Sequence, residues 1–345
     1  MLKQKYELRT FFPNKDQADT LEYKKLQERC ARGDILSVAV IGSNYAGKST
    51  YVAMLIRQMK ECSKFGLRCY LDHPPADYVH LLAEDSWNYY NKYYDECFNR
   101  GIFQLADDTY SHLEWPLLTV NKSTTHEIEF SVLDVPNHEG ENEYQWFNTF
   151  SSHNAGVYRY KNEYGLVSCA NAQGIAQSIN AIILMIDPFS FVQSKNNYGG
   201  EYCYSSNGFK ETNTIIAAME NGLEKLRGKR ERIDIPVAIC LPKVDVMKRY
   251  GLYANDVEVD CIVDGKFNYS KSKLMAKQVR KFFKKVSVDI DSFARKHFQH
   301  YNLFAINSIT TTGSKDNKYT LESHGVLSPI AWLLAEYGFI ESSKH

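Results

Sequence analysis

Residues 42–49 read Gly-Ser-Asn-Tyr-Ala-Gly-Lys-Ser, so two glycines bracket a short loop that runs into a lysine and a hydroxyl. Glycines let a backbone wrap closely around phosphate oxygens. The amides from Gly42 through Ser43, Asn44, Tyr45, Ala46 and Gly47, and on to Thr50, would point inward, and the helix that follows adds partial positive charge at its N-terminus. Lys48 would reach the β- and γ-phosphates of a nucleotide, and the Ser49 hydroxyl would ligate Mg²⁺. A chain of this length meets such a pattern by chance roughly once per hundred sequences. A second group sits at the end of "IEFSVLD". Asp134 places a carboxylate where a strand finishes, which suits a further Mg²⁺ contact, direct or through water.

These residues need a scaffold that brings strand ends together. Four apolar runs read as strands, "ILSVAVIG" (35–42), "IEFSVLDV" (128–135), "AIILMID" (181–187) and "PVAICL" (236–241), with a fifth, "NLFAINS", at 302–308. Near-continuous apolar runs suit strands buried on both faces of a parallel sheet. Helical stripes alternate with them. Val52, Leu55, Ile56 and Met59 share a face after the loop. Met275, Val279, Phe282, Val286, Ile290 and Phe293 predict one long helix over 271–298. The expected fold is therefore α/β: a three-layer P-loop NTPase fold whose sheet is mostly parallel, with one antiparallel edge strand near 114–120. Residues 1–34 read as an N-terminal helical extension and 35–345 as the nucleotide-binding domain. Insertions fall at about 61–108, 139–178, 188–215 and 246–270, and "GVLSPIAWLLAEYGFI" closes the chain as an amphipathic helix.

Composition narrows the partners. Forty-one basic and 41 acidic residues leave no net charge, which speaks against general nucleic-acid binding. Eight scattered cysteines without a CxxC pair read as reduced thiols of a cytoplasmic protein. The N-terminus lacks the apolar core of a secretory signal, and "AIILMI" is too short to span a bilayer. The basic segment "KSKLMAKQVRKFFKKV" (271–286) reads as a solvated face of a surface helix, with docking to an anionic membrane or protein as the alternative.

On this ground a family resemblance becomes specific. "DVPNHEG" resembles the DxxG motif of P-loop GTPases of the Ras and translation-factor class, and "PKVD" at 242–245 resembles their guanine-specificity motif. The resemblance implies that Thr109, leading into the antiparallel hairpin, joins Ser49 and Asp134 on Mg²⁺, with Thr119, Thr124 and Thr125 as rivals. It implies that Asn137 meets the γ-phosphate, where the family has Gly, and that His138 orients the attacking water. Lys243 would lay its stem along the base, and Asp245 would accept from guanine N1 and N2. Ser308 and Ile309 would offer a backbone amide to guanine O6. Pro242 replaces the usual Asn or Thr and so loses a side-chain link to the phosphate loop. The long, insertion-rich form also resembles the double-GTPase families of bacterial conflict and multi-gene systems. The implied function is a Mg²⁺-dependent, slowly hydrolysing GTP/GDP switch with protein partners, mobile over 100–113 and 136–178. Two other readings stay open: a non-hydrolysing nucleotide-dependent interaction module, and an ATPase or small-molecule kinase.

Overall fold

The computed structural model describes residues 35–42, 46–59, 67–69, 111–120, 125–134, 157–161, 167–171, 180–191, 220, 231–249, 253, 260–313 and 319–343; over 67–171 it describes backbone only. The N-terminal extension, Ser43, Asn44, Tyr45, Thr109, Asn137, His138 and most of the insertions lie outside these residues.

β1 (Ile35–Gly42) leads into α1 (Lys48–Met59). β2 (Leu67–Cys69), β3 (Ser111–Val120), β4 (Thr125–Asp134), β5 (Val157–Lys161), β6 (Val167–Asn171), β7 (Ala181–Met185) and β8 (Val237–Leu241) follow. The remaining elements are α2 (Val244–Arg249), β9 (Ile262–Val263), β10 (Lys266–Asn268), α3 (Tyr269–Lys285), α4 (Ile290–His297), β11 (Tyr301–Ala305), β12 (Asn307–Gly313), β13 (Tyr319–His324), α5 (Leu327–Glu336) and β14 (Ser342–Ser343). The main sheet has seven strands in the order β11-β8-β7-β1-β4-β3-β2. From β11 to β4 every neighbouring pair is parallel. The antiparallel strand β3 is not the outermost one, because the three-residue β2 pairs along it.

Alternation along the strands explains why the apolar runs are continuous. Leu36, Val38 and Val40 face one core, with Tyr51, Leu55 and Trp332 from α1 and α5. Ala39 and Ile41 face the other, with Val279, Phe282 and Phe293 from α3 and α4. The same split divides Ile183 and Met185 from Ile182 and Leu184 in β7. Both faces of β1, β7 and β8 are buried beneath helices, which gives three layers there.

Two readings of the sequence need correction. The stripe over 271–298 is two helices, because Ser287 takes φ 60° and closes α3. Its N–H donates to the Lys284 carbonyl and that of Val288 to Phe283, so the chain turns in a Schellman geometry. Asp289 then starts α4 by accepting from the Ser292 amide at 3.0 Å. The region read as insertion at 246–270 contains α2 and the β9–β10 hairpin, whose two-residue turn Asp264-Gly265 has φ 50° and 74°. An Asp-Gly pair suits that turn. The second correction concerns α5, which is not amphipathic: Ser328 through Leu334 and Glu336 are all buried. On α3, by contrast, Lys273, Lys277, Lys281, Lys284 and Lys285 lie on the exposed side, and Leu274 is the exposed large hydrophobic residue among those described.

Burial of thiols in these cores has a consequence for alkaline stability. Burial lifts the Cys261 thiol from 9.0 to about 12, and it also pushes Cys240 and Tyr51 well above their ordinary values. In the folded chain they stay protonated while the unfolded chain ionises, so the unfolded state binds fewer protons above pH ~9. Stability is therefore full below that range and falls as pH rises through it, by on the order of 1 kcal/mol at pH 10 for Cys261 alone. Urea midpoints at pH 7.5 and 10 test this. The drop should shrink in Cys261→Ala, and a midpoint that does not move would mean the thiol is solvated.

Candidate functional site

Parallel strands buried on both faces leave their carboxyl ends as the place where polar groups can gather. Register shows what meets there. Val40 pairs with Asp134, Gly42 with Met185, Met185 with Cys240, and Leu241 with Ala305. Asp134, the phosphate-loop glycine and the segments after β7, β8 and β11 thus share one edge. From β1 to β11 is three strand spacings, roughly 14 Å.

At the loop itself the two glycines answer to different constraints. A Cβ on Gly42 would lie 2.2 Å from the Met185 carbonyl oxygen, so no side chain fits. Gly47 has open space around it but takes φ 81°, a conformation that side chains resist. Its carbonyl accepts from the Tyr51 amide at 2.8 Å, within the first turn of α1. Ala46 is buried, and Ser49 and Thr50 in that turn are half-buried. Lys48 is 9% exposed, and its Nζ returns to the Gly42 carbonyl at 3.4 Å. The ammonium is thereby held across the loop from which both glycines remove side chains.

The hairpin β3–β4 bears on the choice among threonines. Ser111 pairs with Asp134, while Thr109 and Thr124 lie outside the described residues. Thr119 pairs with His126 and Thr125 with Val120, at the opposite end of the ladder. Eight strand residues separate Thr119 from Ser111, roughly 26 Å. Neither Thr119 nor Thr125 lies at the loop.

After β8, Pro242 is buried and Lys243 takes φ 60° before α2 begins. Asp245 lies in the first turn of α2 and is half-buried. The Val244 amide donates to the Ile306 carbonyl at 3.4 Å and the Ile306 amide to Leu241 at 2.9 Å, which binds this segment to the one after β11. Ser308 and Ile309 lie in β12. The register of β12 against β13 shifts between Asn307 and Thr310, which sets these two residues against Ser323 alone. Such a bulge takes residues out of the regular ladder. The β12–β13 hairpin is braced on α1, since Gln58 Nε2 donates to Ser323 Oγ at 2.6 Å, and the Tyr51 hydroxyl donates to the Val326 carbonyl at the start of α5 at 3.1 Å.

One residue at this edge carries no role in the sequence reading. Asp187 follows β7 and is 4% exposed. Its Oδ1 accepts from the Phe189 amide at 3.2 Å, capping the turn Pro188–Ser190. Both its carboxylate oxygens accept from Lys243 Nζ at 3.3 Å. The signal was the one that marks Asp134: a carboxylate closing an apolar run.

No protein-family model matches the chain, and no curated protein matches it. Among solved structures it is similar to the S. cerevisiae Ski7 GTPase-like domain bound to GDP and inorganic phosphate. That match has 13% identity and a TM-score of 0.28 over 79% of this chain and 43% of that one. The same domain bound to GTP matches at 13% identity and 0.28 over 79% and 42%. The chain spans less than half the length of those structures.

The two glycines predict different costs. Gly42→Ala should lose about 2–3 kcal/mol, because the Met185 backbone it meets belongs to a central strand. Gly47→Ala should lose about 1 kcal/mol, from backbone strain alone. Urea unfolding of both variants decides; equal costs would refute the close approach at Gly42.

Proposed function

We propose that this chain binds GTP and GDP together with Mg²⁺, hydrolyses GTP slowly and acts as a switch for protein partners in the cytoplasm. The observation that carries the reading is the loop: a glycine with no room for a side chain, a left-handed glycine just before α1, and directly after it a buried lysine whose ammonium returns to the first glycine's carbonyl. In that position Lys48 would stabilise charge on the β- and γ-phosphates, more strongly for the transferring group than for the bound ground state. Ser49, Thr109 and Asp134 would supply hydroxyl and carboxylate oxygens, the hard donors that Mg²⁺ prefers. The bound ion would neutralise phosphate charge.

Two strands away, the loop after β8 would hold the base. Asp245 would accept from guanine N1 and N2, and adenine presents no such donor pair there. Ser308 and Ile309, at the bulge, would offer an amide to guanine O6. His138 would orient water, with Asn137 near the γ-phosphate. The sequence offers no arginine finger, so fast turnover would need one from a partner. Asn137 in place of glycine favours a second reading, in which nucleotide binding alone switches the protein.

Titration with GTP, GDP and ATP, coupled to a γ-phosphate release assay, tests the reading. Lys48→Ala should weaken all three nucleotides by at least roughly tenfold. Asp245→Ala should weaken GTP and GDP while leaving ATP unchanged. Preferential retention of ATP by the unmodified chain would sink the guanine assignment. Tight GTP binding without phosphate release, alone and with partners, would select the second reading.

A further inference from the structure

Lys243 holds a backbone conformation that its residue type resists, φ 60°. Two other non-glycine residues among those described do the same, and local turns explain both: Asp264 in the β9–β10 hairpin and Ser287 at the end of α3. Lys243 has no such turn. It stands between a buried proline and the first residue of α2, and its carbonyl accepts from the Met247 amide at 3.1 Å. Its side chain supplies the rest of the constraint. Nζ lies 3.3 Å from each Asp187 carboxylate oxygen and 5.7 Å from the centre of the Phe189 ring.

We infer that Asp187 is the positioning residue of the base site, tethering Lys243 and so replacing the link to the rest of the site that Pro242 cannot make. The inference rests on the guanine-nucleotide reading above. Asp187 is 4% exposed and the Lys243 side chain 23%, so the pair is drier than a surface ion pair and less screened. Gripped at its end, the lysine stem stops sampling rotamers, and that ordering is complete before a ligand arrives. Extended in this way, the stem offers an apolar edge on which a purine can lie. The tether also joins the two halves of the site. Met185 of β7 packs against Gly42, and Asp187, two residues further on, holds Lys243. One strand end thus sets the distance between phosphate grip and base grip.

Asp187→Asn keeps the size and the capping oxygen while removing the charge. In the full chain, release of a fluorescent GDP should become roughly tenfold faster, since loss of one partner of a desolvated pair acts on the off-rate. The preference for GTP over ATP should fall, and competition by inorganic pyrophosphate should not change, because the phosphate loop is untouched. In a Lys243→Ala background, which leaves Asp187 and its cap in place, Asp187→Asn should add nothing. Thermal unfolding shows whether each variant keeps its fold. A folded Asp187→Asn protein with unchanged release and selectivity overturns the inference. So does an effect that is additive with Lys243→Ala or shared by pyrophosphate. Failure of the parent reading looks different: the unmodified chain then binds pyrophosphate without preferring guanine, and the inference falls with it.

Discussion

Strands β1, β7 and β8 are buried on both faces, and that constraint governs where polar groups can stand. Leu36, Val38 and Val40 are buried on one side of β1, Ala39 and Ile41 on the other, and β7 and β8 repeat the arrangement. Along β7 and β8 every described side chain is buried and apolar, so polar groups gather where these strands end. Asp134, Asp187, Lys243 and Ser308 all occupy or follow carboxyl ends of parallel strands. The site is the part of the sheet that the helices leave uncovered.

Strand β7 is the member on which the most depends. It lies between β1 and β8, it presents the carbonyl that forbids a side chain at Gly42, and it continues into the aspartate that holds Lys243. A shift of β7 along its axis would disturb the segments around Gly42 and Lys243 together. The helix side adds a second brace. α1 starts after Gly47; Gln58 bonds Ser323 of the hairpin that carries Ser308, and Tyr51 bonds Val326 at the start of α5.

The apolar runs made the strands legible, because burial on both faces forces continuity that no amphipathic helix shares. The loop at 42–49 stands out in the sequence for a different reason: phosphate binding asks for fixed residue types at fixed spacing. Less was visible where the structure depends on single backbone angles. Nothing in the stripe from Met275 to Phe293 announces a break, since the apolar spacing runs through Val286, and the turn is made by Ser287 in a conformation common only to glycine and asparagine. The opposite error occurred at α5, where Trp332, Leu333 and Leu334 are all buried and period carries little information once every side is covered. Asp187 was missed because its partner lies 56 residues away, and a sequence pattern does not show that pairing.

Backbone strain separates residues that merely turn the chain from residues whose side chain is in use. At Gly47 a left-handed angle is met by the residue that tolerates it at no cost, and the site needs nothing from a side chain there. At Lys243 glycine would also relieve the angle, yet a lysine stands in its place, and a left-handed lysine costs on the order of 1 kcal/mol. Such a residue persists only where the surroundings over-determine it. Here they do so through the side chain, by two contacts to a buried carboxylate. The strain, the ion pair and the proline beside them form one arrangement, in which Pro242 stiffens the approach, Asp187 fixes the ammonium, and on the proposed reading the stem between them is the part left for a ligand to meet.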